Sequence, residues 1–250
     1  MIDIHSHTLW HLDDGSPDLD ESVAMCALAA DTGTKYLFLT PHLIYWDEAE
    51  DLFDRRNEKA SHLRHILREE GIPLHLRTGF EILCDDEIFE IKYFQPYTLN
   101  GTRYILIEFD FFKTAEEDVR AWCRYLTSFG LVPIIAHPER YGFVMNDIAS
   151  IERLSKDGVL FQINAASPLG LFGGREGEVA LTLLNNGYVD FIGSDAHRAH
   201  GRNTNMASLL RRYPEEVDRD LVHLAASRNP RVLLHDEPLT PVRLGHLSDL

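Results

Sequence analysis

Short apolar runs of strand length alternate along the chain with longer segments in which apolar residues recur every three or four positions. The runs predict β-strands at 2–5, 36–40, 76–82, 104–108, 132–136, 159–163 and 189–192, and the segments between them predict helices. Val119, Trp122, Cys123, Leu126 and Phe129 trace one amphipathic helical face. Ser16-Pro17-Asp18 supplies a helix start with a stop near Gly33, and Asn185-Asn186-Gly187 marks the stop before the seventh strand. Residues 47–70 predict a long, charged, solvated outer helix. Seven strand-then-helix units without a dinucleotide-type glycine fingerprint predict an α/β protein built as a closed or nearly closed seven-stranded barrel, with an open doubly wound sheet as the alternative. The whole of 1–250 reads as a single domain. After Asn229 the pattern loosens, and Pro230, Pro238 and Pro241 divide a tail that packs across the barrel or runs partly free.

The ends of these strands collect most of the polar chemistry. His5 and His7 close the first, where alternation sets both imidazoles on one side about 6–7 Å apart, and Asp14 follows in the loop. The second delivers His42, the third Glu81, the fourth Glu108, the fifth His137, and the seventh Asp195 and His197. In a barrel all C-terminal strand ends open onto one face, so groups distant in sequence converge there. Imidazoles and carboxylates without a convincing thiolate suit Mn²⁺, Fe²⁺ or Zn²⁺. His5, His7, Asp14, His42, Glu81, Glu108, His137, Asp195 and His197 exceed the three or four protein ligands of one catalytic ion, so two or three divalent ions are expected. Asp13, beside Asp14 but aimed differently, is expected to support a ligand. Such a cluster suits in-line displacement at phosphorus, and Arg140 and Arg202, three and five residues past His137 and His197, suit phosphoryl oxygens.

Composition narrows the field further. Acidic residues outnumber basic ones 40 to 24, for a formal charge of −16. Binding DNA or RNA by phosphate neutralisation needs a basic track, which Arg202, Arg211 and Arg212 do not make, so no nucleic-acid partner is expected. No apolar run reaches 18 residues, which predicts no membrane insertion. The opening MIDIHSH is no cationic apolar leader, and a cytoplasmic location is expected. Cys26, Cys84 and Cys123 form no CxxC pair and predict free thiols; no Cys-x5-Arg phosphate loop surrounds them, so a cysteinyl-phosphate route has no support.

The segments MIDIHSHTLWHLDDGSPDLDES, TPHLIY, GFEI, YILIEF, PIIAHPERY, FQINAASPLG and GSDAHR resemble the polymerase-and-histidinol-phosphatase (PHP) superfamily, and within it the bacterial protein-tyrosine phosphatases that regulate capsular and exopolysaccharide synthesis. The two-histidine opening is shared superfamily-wide; LDDG, HPERY, the QINA segment and SDAHR are more selective. The resemblance spans 2–202. It implies a distorted seven-stranded TIM-like barrel with a trinuclear, usually manganese-dependent centre. Carried over segment by segment, it implies that His5 and His7 share one ion with Glu81 and Asp195. Glu81 would bridge to a second ion held by Glu108 and His137, and Asp14, His42 and His197 would serve a third. Arg140 and Arg202 match phosphate-recognition positions. Trp10-His11 stands where the family commonly has a proline-glycine turn.

The activity so implied is direct hydrolysis of phosphotyrosine on a protein, with an autophosphorylated tyrosine kinase's C-terminal tail as the expected partner. His42 or Asp14 would assist departure of a phenolate whose conjugate acid has a pKa near 10. Tyr45, Trp46 and Tyr141 either flank the substrate ring or cap the barrel. A small phosphomonoesterase such as a histidinol-phosphate phosphatase is the alternative enzyme. A nucleic-acid phosphodiesterase and a non-catalytic kinase-tail scaffold stand further off, the second because every candidate ligand is present.

Overall fold

The computed structural model describes residues 1–249 and is an α/β fold in which every strand pairing is parallel. In chain order its elements are β1 (Ile2–Asp3), α1 (Leu19–Asp31), β2 (Tyr36–Leu39), β3 (His42–Leu43), α2 (Ala49–Glu69), β4 (His75–Thr78), β5 (Glu81–Leu83) and β6 (Tyr104–Glu108). There follow α3 (Glu116–Ser128), β7 (Val132–Ala136), α4 (Gly142–Asn146), α5 (Ala149–Lys156), β8 (Leu160–Asn164), α6 (Gly174–Asn185) and β9 (Phe191–Gly193), then α7 (Met206–Arg211), α8 (Arg219–His223) and α9 (Asn229–Leu234).

The strands form two ladders, β1-β2-β4 and β3-β5-β6-β7-β8-β9. The third expected strand is broken in two, and the second is followed by a separate short strand, β3, that was not expected. The second ends at Leu39, before Thr40-Pro41, where proline has no N–H to continue a ladder, and the third breaks at Gly79-Phe80. Hydrogen bonding carries across both points through Gly79 N to Leu39 O (3.0 Å) and Glu81 N to Pro41 O (3.1 Å). The segments that follow the first and last strands meet in an isolated parallel bridge between Ser6 and Ala196, with His7 N donating to Ala196 O at 2.8 Å. The first strand is shorter than expected, the sixth is shifted to Leu160–Asn164 and the seventh to Phe191–Gly193.

Because both faces of these strands are covered, their side chains divide by parity between two cores. Tyr104, Leu106, Ile134, Ala136, Leu160 and Phe191 face an inner core with Ile2, Ile4 and Phe38. Ile105, Ile107, Ile135, Phe161, Ile163 and Ile192 face the helices. The start of α1 follows its sequence signal: Asp18 accepts from Glu21 N at 2.9 Å as the N-cap. The charged segment 47–70 is less solvated than expected, since Leu52, Ala60, Leu63 and Leu67 of α2 are buried. The tail packs rather than running free. Arg243 forks onto buried Asp190 with two 2.9 Å bonds, and Leu247 N donates to Glu152 at 3.0 Å. Among the described residues no helix is long and apolar enough to cross a membrane.

Candidate metal centre

Strand parity carries polar side chains inward at the C-terminal ends. Glu108 shares the inner face of β6 with Tyr104 and Leu106, and Gln162 and Asn164 share that of β8 with Leu160. Two other donors come from strained backbone: His137 (φ 36°) and Asp195 (φ 50°) both sit in the left-handed region just past β7 and β9. Non-glycine residues reach that region at a cost, and such strain collects at functional sites.

Glu81 lies at the middle of the assembly and is wholly buried. Its Oε2 is 3.1 Å from His5 Nε2, 3.1 Å from His7 Nε2 and 3.2 Å from His42 Nδ1, while its Oε1 is 2.8 Å from His137 Nε2. Asp195 Oδ1 stands 3.5 Å and 3.3 Å from the same His5 and His7 nitrogens. Glu108 Oε1 is 2.7 Å from His42 Nδ1, and Asp14 Oδ1 is 3.6 Å from His42 Nε2 and 3.3 Å from His197 Nε2. Donor atoms close to within 4.8 Å in three groups: His5, His7, Glu81 and Asp195; His7, Asp14, His42 and His197; and His42, Glu81 and Glu108. His137 joins through Glu81 and, at 3.8 Å, Glu108.

A layer of hydrogen bonds behind these groups fixes which atoms face inward. His5 Nδ1 donates to Gln162 Oε1 (2.7 Å), His7 Nδ1 to Asp13 Oδ2 (2.7 Å) and His197 Nδ1 to the Asp195 carbonyl (3.0 Å). In the neutral ring each bond holds the proton on Nδ1 and leaves Nε2 as the ligating atom, the arrangement that supports imidazole ligands in metal sites. His7 thus has one free nitrogen and can serve only one of its two groups. Asp195 Oδ2 accepts from Asn164 Nδ2 at 2.7 Å and pairs with Arg202 Nη2, which turns Oδ1 to the histidines. Gly193 makes room for this layer, since a Cβ there would lie 2.9 Å from His5 Cβ and 3.1 Å from Gln162 Nε2.

The arrangement fits cations. Glu81 Oε2, Asp195 Oδ1, His42 Nδ1 and His137 Nδ1 are buried without a hydrogen-bond partner, although three of them lie close to other donor-set atoms. Buried polar atoms are rarely left so, and lone pairs crowded around shared points are what ions would satisfy. Without ions, protons do part of that work. Burial works against a charged His42, yet Glu81 and Glu108 push it up to about 9. Burial likewise opposes charge on His5 and His7, and the neighbouring carboxylates overcome it. Glu81 and Asp195 are held well below the usual carboxylate range despite burial, chiefly by His5 and its neighbouring imidazoles. His197, buried beside other cations, is lowered.

All nine candidate ligands thus meet in one place. Of the two arginines, Arg202 pairs with Asp195, while Arg140 lies with its guanidinium carbon 4.2 Å over Phe111 and pairs with no carboxylate among the described residues. Gln162, Asn164, Phe111 and Phe172 were not expected here. The two amides had a signal: alternation in Leu160-Phe161-Gln162-Ile163-Asn164 sends both inward, where an amide needs partners. The aromatic residues lie on loops and had none. Beside the cluster a cavity of about 380 Å³ has apolar walls of Leu12, Leu43, Ile44, Tyr45, Leu52 and Leu83, with Asp14, His42 and Glu108 also lining it. Of the three aromatic residues considered for a substrate ring, only Tyr45 lines it. Tyr141 is buried, its hydroxyl accepting from Phe109 N, and Trp46 packs on Phe94 and Tyr97. His11, of the Trp10-His11 departure, occupies a left-handed turn (φ 53°) of the kind glycine adopts freely, and Lys59 of α2 lies over Trp10 at 4.3 Å.

Comparison with known proteins agrees with this geometry. Tyrosine-protein phosphatase YwqE of Bacillus subtilis (strain 168) is 31% identical over 243 residues, covering 96% of this chain and 93% of YwqE. A solved chain from the pair YwqE of Bacillus subtilis and CpsB of Streptococcus pneumoniae, described as metal-dependent tyrosine phosphatases, matches with TM-score 0.83 and 30% identity over 97% of this chain and 100% of that one. The lactonase Lmo2620 of Listeria monocytogenes, at TM-score 0.52 and 12% identity over 86% of each chain, shares the fold alone. The family described as capsular polysaccharide synthesis, CpsB/CapC, matches residues 1–235, and the chain belongs to it.

Proposed function

We propose that this chain is a metal-dependent protein-tyrosine phosphatase of capsule or exopolysaccharide synthesis, acting on the phosphorylated tail of a tyrosine kinase. The observation that carries the reading is the buried donor cluster around Glu81 Oε2, opening beside an apolar cavity. The nine side chains His5, His7, Asp14, His42, Glu81, Glu108, His137, Asp195 and His197 are its metal ligands. Manganese suits this oxygen- and nitrogen-rich set, with Fe²⁺ or Zn²⁺ as alternatives. When bound, the ions supply Lewis-acid stabilisation of charge on the phosphoryl oxygens and acidify water. The two ladders act as one distorted seven-stranded barrel within a single domain, 1–250. Three free cysteines suit a reducing compartment, in keeping with the cytoplasm.

The residues around the ions then have separate tasks. Gln162, Asp13 and Asn164 hold His5, His7 and Asp195 in their ligating orientations. Arg140 and Arg202 neutralise the phosphoryl oxygens. The walls formed by Leu12, Ile44, Tyr45 and Leu83 take the aromatic ring and exclude water from the leaving-group side, and Asp14 and His42 stand where a phenolate would depart. The test is turnover of a phosphotyrosine peptide, a phosphoserine peptide and histidinol phosphate by one preparation, with manganese and with chelator. Manganese-dependent preference for phosphotyrosine is expected; a preference for histidinol phosphate would transfer the chain to the small-molecule phosphomonoesterases.

A further inference from the structure

The loop after β8 contributes no candidate metal ligand, yet it reaches the two arginines. Past a 3-10 turn at Ser167–Leu169 the chain turns through Gly170 (φ 67°), presents Phe172 and enters α6. The ring of half-buried Phe172 lies 5.7 Å from the guanidinium carbon of Arg140 and 5.5 Å from that of Arg202. These arginines come from the loops after β7 and β9, on either side of β8, so one side chain from the middle loop contacts both.

Two like charges gathered at one ring repel each other, and a cation over a partly exposed aromatic face returns only modest attraction. In a chain with 40 acidic residues, carboxylate pairing was available, yet Arg140 takes two aromatic neighbours and no acid. Arg202 spends one nitrogen on Asp195, while its buried Nε has no partner. A guanidinium held against a ring rather than a carboxylate keeps N–H groups free, and those can form bidentate bonds to phosphoryl oxygens. An anion bound by both guanidinium groups would offset the repulsion between them.

We propose that Phe172 is a positioning residue: its ring holds Arg140 and Arg202 side by side as one phosphoryl clamp next to the metal cluster. This rests on the phosphatase reading given above and extends it to a residue that touches neither metal nor reacting atoms. The bulk of the ring is not the point. A leucine of similar volume would fill the space without the electron-rich face, whereas tyrosine would keep the face.

The experiment compares wild type with Phe172→Leu and Phe172→Tyr in the manganese-loaded protein. Calorimetry measures the affinity for inorganic phosphate, steady-state kinetics follow a phosphotyrosine peptide, and metal content and melting temperature are recorded alongside. F172L is expected to weaken phosphate binding and lower kcat/KM by about tenfold each, with metal content unchanged, and F172Y to stay within about threefold of wild type. In an Arg140→Ala, Arg202→Ala background, F172L is expected to add no further loss of phosphate affinity, because the ring acts through those two groups. Wild-type phosphate affinity in F172L, or a full additional loss in the double-alanine background, would overturn the proposal. The phosphatase reading fails separately, through absence of phosphotyrosine turnover in wild type, and the phosphate measurement still decides the clamp.

Discussion

Replacing Gln162 by leucine tests the idea that metal affinity here depends on residues that never touch a metal. Gln162 and His5 are both fully buried, and the Gln162 Oε1 acceptor 2.7 Å from His5 Nδ1 keeps the ring proton on Nδ1. Leucine is close in size and removes that acceptor. The orphaned N–H costs roughly 1–3 kcal/mol of stability, a fall in melting temperature of roughly 2–12 °C for a chain of this length. Asn164 Oδ1 also loses its 3.0 Å donor from Gln162 Nε2, which places the expected loss toward the upper end. In the neutral ring the single proton of His5 is then free to sit on Nε2, the atom that faces Glu81 and Asp195, and binding an ion there requires its removal. Loss of such an orienting partner typically weakens metal affinity 10- to 100-fold, about 1.4–2.8 kcal/mol. Isothermal titration of the metal-free variant with Mn²⁺ measures this directly. Gln162→Glu, which keeps an acceptor for His5, is expected to recover most of the affinity while leaving Asn164 short of a donor. Unchanged manganese affinity in Q162L, with the protein folded, would refute the reasoning.

Other outcomes are expected. Arg140→Ala should keep its metal and nearly all its stability, because it gives up only stacking on Phe111 and Phe172, yet lose roughly 10²-fold in kcat/KM, about 3 kcal/mol of charge-assisted stabilisation; Arg140→Lys should recover part of it, and near-normal kinetics in the alanine variant would return the side chain to a structural role. The metal-free protein should lose stability as pH rises from about 6.5 through about 9, since the raised His42 contributes fully below its unfolded value and its carboxylate partners lose that charge above its folded one. Thermal melts with and without Mn²⁺ check this, and the loaded protein should be flatter over the same window because ion binding displaces the proton. Simultaneous Cys26→Ser, Cys84→Ala and Cys123→Ala should leave kcat essentially unchanged, because all three thiols are buried and burial raises them away from thiolate; abolished turnover in a folded, metal-replete variant would point to a covalent cysteine route.

Much of the site follows from sequence order alone. Parallel strands that each end in an imidazole or carboxylate must bring those groups to one end of the fold, whatever the exact strand boundaries. That is why His5, His7, His42, Glu81, Glu108, His137, Asp195 and His197 could be gathered before any distance was known. The cysteines could be set aside on the same grounds, since they sit within apolar patterns and no phosphate loop surrounds them.

What tertiary structure decided lies where local pattern carries no information. At Thr40-Pro41 and at Gly79-Phe80 the chain passes from one ladder to the other, a change that the apolar pattern does not mark. The bonds that aim each ring also join residues far apart in sequence: His5 to Gln162 spans 157 positions, and Asn164 to Asp195 spans 31. Alternation can send Gln162 inward, but only the packed fold says which imidazole it meets. The meeting of Arg140, Arg202 and Phe172 is less legible still, since three separate loops supply them and loops have no periodicity to read. Residue type and strand order determined which chemistry collects at the strand ends; three-dimensional packing determined which lone pair points inward and which ring the two arginines share.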